Sequence, residues 1–296
     1  MTIVLALLLE HVLGDPSNRW HPVAWFGRWA AWLERLFYAD NRLRGLCLWA
    51  AALVPPLTLI LMLESAIPPA WQMVFDAFVL WFCLGWRSLF RHVHCVLTAS
   101  DVARARAAVS HIVSRDVQAM ELADARRAAL ESLAENASDA VVAPLMWFLV
   151  LGMPAAVVYR MVNTLDAMWG YRNPRYLRFG WFAARMDDLV SWLPARITAA
   201  ALLLLAGRMH DWPMLIAQAR MHESPNAGWP EASLALAAGI RLGGPVMREG
   251  KLDVRPGYGP PHAREVDEEV SFVAVGLVNK MLTVVALLVV GLEFVR

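Results

Sequence analysis

The sequence predicts an all-α, polytopic membrane protein, and three observations carry that reading. Of the 296 residues, 58% are hydrophobic and only 18% charged, against about 45–50% and about 25% in soluble domains; the mean hydropathy is +0.45. The apolar residues gather into runs of bilayer length. No alternating strand pattern interrupts them, and an open sheet could not cross a bilayer in any case.

The first run is Gly45–Leu63, broken only by Pro55 and Pro56. At 1.5 Å of rise per residue, about 20 residues cross the hydrocarbon layer. After a link at 64–70 without Lys or Arg comes Trp71–Phe90, whose one charge before its closing turn is Asp76. The pair reads as a transmembrane hairpin. Arg42, Arg44, Arg87 and Arg91 flank it, which puts both ends in the cytoplasm by the positive-inside rule. Residues 91–139 are polar and rich in arginine, with Val102, Ala105, Val109, Ile112 and Val113 at helical spacing, and read as a cytoplasmic helical segment. The later runs are Ala140–Tyr159, interrupted at Pro144 and at Gly152-Met153-Pro154; Leu189–Gly207, with Pro194 and Arg196; and Val270–Leu292, with Asn279 and Lys280.

The expectation is therefore one membrane domain over 1–296, with hydrophobic segments at about 45–63, 71–90, 140–159, 189–207 and 270–292. Polar regions fill 10–44, 91–139, 160–188 and 208–269. A single crossing at 140–159 would put Arg160, Arg172, Arg175, Arg178 and Arg185 outside. That segment is accordingly expected to enter the bilayer and return. The apolar start, Met1–Leu9, lacks a basic region and a small-residue cleavage site and is not read as a cleaved signal. A net charge of +1 gives no basic field for nucleic acid. Cys47, Cys83 and Cys95 form no CxxC pair, which argues against a disulfide framework or a zinc site.

Four polar clusters lie between the runs. Glu131, Glu135 and Asp139 share a helix face and, with Asn136 and Ser138, read either as an all-oxygen magnesium site or as a solvated acidic face. In the second cluster Arg160, Arg185 and Arg196 suit phosphate, and Asp166, Asp187 and Asp188 suit a nucleotide-borne metal; Arg–Asp ties between helices are the alternative. The third runs from His222 through Asn226 and Gly228 to Glu231. It reads as a turn and helix start whose amides could face an anion, with His222 as a candidate base or a structural histidine. The fourth, Glu10, Asp15 and His21, reads as a capped turn.

Taken in order, these motifs resemble the CobD/CbiB family, adenosylcobinamide-phosphate synthase. The resemblance rests on Gly14-Asp15-Pro16, His21-Pro22-Val23 and Arg115-Asp116. It continues through Glu131, Ser132, Glu135, Asn136, Ser138 and Asp139, then Asn163, Asp166, Gly170, Tyr171 and Asn173, and Arg175, Tyr176 and Phe179-Gly180. Last come Arg185, Asp187-Asp188, Pro194-Ala195-Arg196 and His222 to Glu231, so that the matching stretches span 14 to 244. Ala140 and Ser114 stand where the family carries glycine.

The resemblance implies ATP- and Mg²⁺-dependent amide formation. The acceptor is the free propionate of adenosylcobyric acid, a corrinoid that serves as substrate rather than cofactor. The amine is (R)-1-amino-2-propanol O-phosphate or the free aminopropanol. It also implies catalytic roles for Glu135, Asp139, Asp166, Asp188 and His222, and a metal set of Glu131, Glu135, Asp139, Asp187 and Asp188. Substrate or phosphate binding falls to Arg115, Asn136, Arg160, Asn163, Arg185, Arg196, Asn226 and Gly228. The expected place is the bacterial inner membrane, in contact with lipid and other late cobalamin-assembly enzymes, with the site toward the cytoplasm. A transporter would need repeated halves, which the sequence lacks, and a non-catalytic AmpE-type signalling relative would need degraded motifs.

Overall fold

The computed structural model describes residues 1–113, 115–248 and 250–295, with Arg248 described by its backbone alone. Ser114, one of the two departures from the family pattern, lies outside the described residues. In chain order the helices are α1 (Thr2–Leu13), α2 (Pro22–Phe37), α3 (Arg42–Ala66), α4 (Pro69–Cys83), α5 (Trp86–Leu97), α6 (Val102–Val109) and α7 (Leu122–Ala137). A π-helical turn, Ser138–Val142, leads into α8 (Ala143–Leu151) and α9 (Met153–Trp169). Then follow α10 (Trp181–Val190), α11 (Trp192–Leu205), α12 (Trp212–Ala219), α13 (Gly228–Ala238) and α14 (Glu268–Val295).

The caps are local chemistry. The His21 ring accepts from Val23 N–H at the start of α2, with Pro22 at the first helical position. Asn41 and Asp101 accept from Arg44 and Arg104 N–H and start α3 and α6. Asp124 closes back on the Glu121 amide before α7.

By length and composition four helices can cross a membrane: Arg42–Ala66, Pro69–Leu97, Leu122–Leu151 and Glu268–Val295; the bent pair α10–α11 makes a fifth if counted as one span. This agrees with the expected polytopic helical fold. By length and composition the third candidate span runs Leu122–Leu151, so it takes in residues 122–139, expected in a cytoplasmic segment, and ends before 152–159. Arg126, Arg127, Glu131 and Glu135 conceal its apolar character in the sequence, while buried alanines and leucines occupy the turns between them. The interruption at 152–154 is a helix break: Gly152 has φ +80°, and α8 packs side by side with α9 as the chain turns back. The described residues also hold two small antiparallel pairs that the sequence does not announce, β1 (Leu242–Gly243) with β4 (Gly257–Tyr258), and β2 (Val246–Arg248) with β3 (Lys251–Asp253).

The chain divides into two compact units, each discontinuous: residues 1–85, 143–191 and 287–296 form the first, and 86–142 and 192–286 the second. The divisions fall inside helical stretches or at breaks of one or two residues between helices, so no linker marks them. In the first unit α9 is central, packed by α2, α3, α4, α8 and α10. In the second, α13 packs on α7, α11 and α12 and is buried almost all round, as expected for a helix apolar on every face.

Pro56 removes the N–H that would bond the Ala52 carbonyl within α3. The indole N–H of Trp29, on α2, donates to that carbonyl at 3.2 Å and so replaces the lost bond where water is scarce. Trp29→Phe should therefore lower stability by about 1–3 kcal/mol, the cost of an unsatisfied buried group. In a Pro56→Ala background, where the backbone supplies its own donor, the loss should shrink. Melting of the four detergent-solubilised proteins of this double-mutant cycle checks it; equal losses in both backgrounds would show that the indole contributes only packing.

Candidate functional site

The second unit assembles a buried acidic cluster on two packed helices. Glu131 and Glu135 lie one turn apart on α7, and Glu231 lies in the first turn of α13. Glu131 is 4% exposed and fully engaged: one oxygen accepts from the Arg115 guanidinium and the other from Gly243 N–H at 2.8 Å. Arg127 stands 4.0 Å from the second oxygen. Glu135 is half-buried and is the α7 carboxylate that these contacts leave over. Burial, together with Glu131 and Glu135 nearby, holds the Glu231 carboxyl well above the usual carboxylate range, against the pull of Arg115 and Arg255. Burial works against charge on Arg255, yet Asp253 at 3.0 Å and the two glutamates Glu231 and Glu131 keep its pKa above the ordinary value. The Tyr258 phenol is pushed up by burial and by the same glutamates.

His222 sits on the edge of this cluster. Its Nδ1 accepts from Ser224 N–H at 2.9 Å, which assigns the proton of the neutral ring to Nε2. That nitrogen lies 3.9 Å from Glu231 Oε1. Burial lowers the His222 pKa, so the neutral form is favoured. With its Nδ1 lone pair occupied, the neutral ring is not free to accept a proton there. Glu231 is the better proton acceptor, and it is absent from the expected site residues because Pro230-Glu231 reads simply as a helix start. Arg255 is likewise missed, since nothing near it in sequence marks it.

Three expected substrate contacts, Arg196, Asn226 and Gly228, have partners within the fold. Arg196 donates to the carbonyls of Trp192 and Pro225 and to Asn226 Oδ1, with its guanidinium 4.4 and 4.6 Å from the Trp192 and Trp229 ring centroids. It ties the 222–228 loop to α11, and Asn226 is its partner. The loop amides of Asn226 and Ala227 donate to Ser224 Oγ, both at 3.2 Å, so they do not present themselves to an anion. A side chain at Gly228 would lie 2.6 Å from both the Ala219 carbonyl oxygen and the His222 Cβ, so this glycine permits a close approach. The Asn136 amide donates back to Ser132. Asp139 opens the π-turn, beside the buried and unpartnered hydroxyl of Ser138; such turns recur at functional sites. A cavity of about 110 Å³ adjoins the cluster, with Arg115, Arg127, Asp116 and Asp124 among its walls.

The remaining expected residues belong to the first unit. Asn163 donates to Asp187 at 3.3 Å, and Ser191 donates to the other Asp187 oxygen at 3.4 Å. Asp166 lies against Gly170, where a Cβ would fall 1.9 Å from its Oδ1. Arg185 is exposed, 3.8 Å from Asp188. Arg160 reaches Asn163 at 3.5 Å, and its Nε is buried without a partner. Burial lowers the pKa of His21, with Asp15 opposing and Arg160 reinforcing the shift. Glu34, unmarked in the sequence, accepts from Trp169 Nε1 (2.9 Å), Arg175 (2.8 Å) and Tyr176 OH (2.9 Å), and so fixes the 170–180 loop.

Of the five carboxylates expected to hold metal, Glu131, Glu135 and Asp139 lie in the second unit and Asp187 and Asp188 in the first. Among the described residues no cluster of three or more His, Cys, Asp or Glu could hold a metal. A magnesium ion held by protein alone does not fit; one carried by nucleotide phosphates needs only one or two carboxylates, which Glu135 and Asp139 could supply.

The family model described as CobD/Cbib protein matches residues 3–277. The chain is 44% identical over 275 residues to the cobalamin biosynthesis protein CobD of Chromobacterium violaceum, covering 88% of this chain and 87% of that one. It is 42% identical over 287 residues to that of Stutzerimonas stutzeri (94% of each), and 40% over 276 residues to that of Mycobacterium tuberculosis (89% and 87%). No solved structure matches the chain.

The two shifted groups oppose each other in pH dependence. Glu231, with its folded pKa raised, stabilises the fold when protonated; that contribution is lost as pH rises from the usual 4.5 through the raised value. His222, with its folded pKa lowered, costs stability as pH falls below the usual 6.5. Above pH 6.5 the glutamate effect should stand alone. Wild-type melting should therefore decline relative to Glu231→Gln as pH rises from 6.5 to 9. Parallel melting curves for the two proteins would show that Glu231 is ionised throughout.

Proposed function

The chain belongs to the CobD/CbiB family, and from that premise we propose that this cobalamin biosynthesis protein is an ATP-dependent ligase. It joins the free propionate of adenosylcobyric acid to (R)-1-amino-2-propanol O-phosphate, or to the free aminopropanol, as an amide. The observation that carries the reading is the buried cluster of Glu131, Glu135 and Glu231 held against Arg115 and Arg255. A carboxylate is a poor electrophile. Transfer of the terminal phosphoryl group of ATP activates it, and the amine then displaces phosphate. Arg115 and Arg255 offset the anionic charge of the reacting groups, and Glu231, poised by burial, takes the proton that the attacking amine loses. His222 stands beside Glu231, its Nε2 3.9 Å from Oε1. Magnesium bound with the nucleotide would spread charge over its phosphates, and Glu135 is the side chain that would hold it.

The protein is multi-pass by its apolar helices, and the ATP requirement argues for a site open to the cytoplasm across the inner membrane. In a cysteine-free background, Ser65→Cys, between the first two spans, should react with an impermeant thiol reagent added outside intact cells, and Arg178→Cys should not. Ready external labelling at position 178 would overturn that orientation.

Purified protein given ATP, Mg²⁺, adenosylcobyric acid and either amine should release the amide, identified by mass spectrometry. Glu135→Gln and Glu231→Gln should each lower kcat by about a hundredfold or more while the protein still inserts and folds. Activity within a few-fold of wild type in both variants would remove the acidic cluster from the chemistry. Absence of product with either amine would remove the reaction itself.

A further inference from the structure

The first unit encloses a cavity of about 580 Å³ between α2, α3, α4 and α9, within the range that holds small ligands, about 300–1,000 Å³. Its walls are aromatic and aliphatic, with Phe26, Trp29, Leu59, Phe78 and Phe82 among them. Of the polar groups that line it, the Trp25 and Trp29 indoles donate to the Arg19 and Ala52 carbonyls and the Thr164 hydroxyl to the Arg160 carbonyl at 2.8 Å. Among the described residues Arg160 is the charged group on its wall. Its Nε is buried without a partner, and its contact with Asn163 is long at 3.5 Å. A guanidinium with unmet donors in an apolar setting is costly unless an anion completes it.

The cavity also has a mouth. Leu59 and Phe78 line it and are at the same time 57% and 47% exposed. They lie on α3 and α4, within the two candidate spans Arg42–Ala66 and Pro69–Leu97. The opening thus lies on apolar side chains that those candidate spans turn outward. A polar corrinoid has little to bond to on these walls, whereas an acyl chain matches them.

We propose that this cavity binds an anionic phospholipid, with one acyl chain between α2, α3, α4 and α9 and the headgroup phosphate on Arg160. The site is independent of the reaction proposed above. Its occupant neutralises Arg160 and fills the unit around α9.

The test uses full-length, delipidated protein in detergent, probed with dioleoylphosphatidylglycerol, dioleoylphosphatidylcholine or inorganic phosphate, with melting and native mass spectrometry as readouts. Phosphatidylglycerol should raise the melting temperature more than phosphatidylcholine and leave one retained lipid per chain. Inorganic phosphate should do neither. Arg160→Gln should weaken phosphatidylglycerol binding by about ten- to a hundredfold, the loss of one charge-assisted contact, and abolish the preference; Arg160→Lys should keep most of it. Leu59→Trp, which fills the mouth, should reduce retention of both lipids without touching Arg160. An equal shift with inorganic phosphate would overturn the proposal in favour of a free anion. So would equal binding of the two lipids, or a preference unchanged in Arg160→Gln.

Discussion

The polar interior of the second unit is arranged around the Glu131 carboxylate. It is buried on α7, a helix able to cross a membrane, where an unpaired charge would be prohibitive. Its oxygens are divided between Arg115, from the segment before α7, and the Gly243 amide at β1. One side chain therefore ties the segment at Arg115 and the β1–β4 pair to α7. Removing either partner of such a pair costs about 3–5 kcal/mol, because the other charge stays behind. Saturation of Glu131 is also what leaves Glu135 and Glu231 for a ligand: three equivalent carboxylates would compete for the same arginines, and here the competition is settled by geometry.

The first unit meets the same constraint with different means. Its helices carry prolines and glycines that open the backbone, and side chains close it. Trp29 supplies the donor that Pro56 lacks, and Glu34 collects three donors from the 169–176 stretch. Gly45 lets the Phe179 carbonyl approach α3 to a distance at which any Cβ would collide. Each device makes an irregular backbone tolerable in a poorly hydrated interior. Together they hold α9 with Asn163 and Asp166 in fixed register against Asp187 and Gly170.

The sequence revealed most of the helical fold, because apolar runs of bilayer length have few other uses. It hid the start of the third candidate span, since α7 carries four charged residues among its buried alanines and leucines. It hid the division into two units, since the boundaries fall inside helical stretches or at breaks of one or two residues instead of linkers. At the candidate site, Glu131, Glu135 and Arg115 were legible as an acidic face and an Arg-Asp pair. Glu231 was not, because a glutamate in a first helical turn is adequately explained by the helix dipole. Arg255 was not, because its Asp253 neighbour reads as an ordinary local pair, and Glu34 was not, because its partners lie more than a hundred residues away in sequence.

The arginines show why residue type alone could not settle the anion site. Arg115, Arg160 and Arg196 carry identical forks, and all three sit beside apolar runs. What separates them is the supply of acceptors. Arg196 meets two carbonyls, an amide oxygen and two indole faces, so its donors and its ring-like plane are both used and it is a tie. Arg115 meets one buried carboxylate that also serves Gly243, so its charge is compensated but its fork retains capacity toward the neighbouring cavity. Arg160 meets a distant amide and an apolar wall, and its Nε is buried without a partner. An arginine's role is thus fixed by what its surroundings fail to provide, and that shortfall exists only once distant helices have packed.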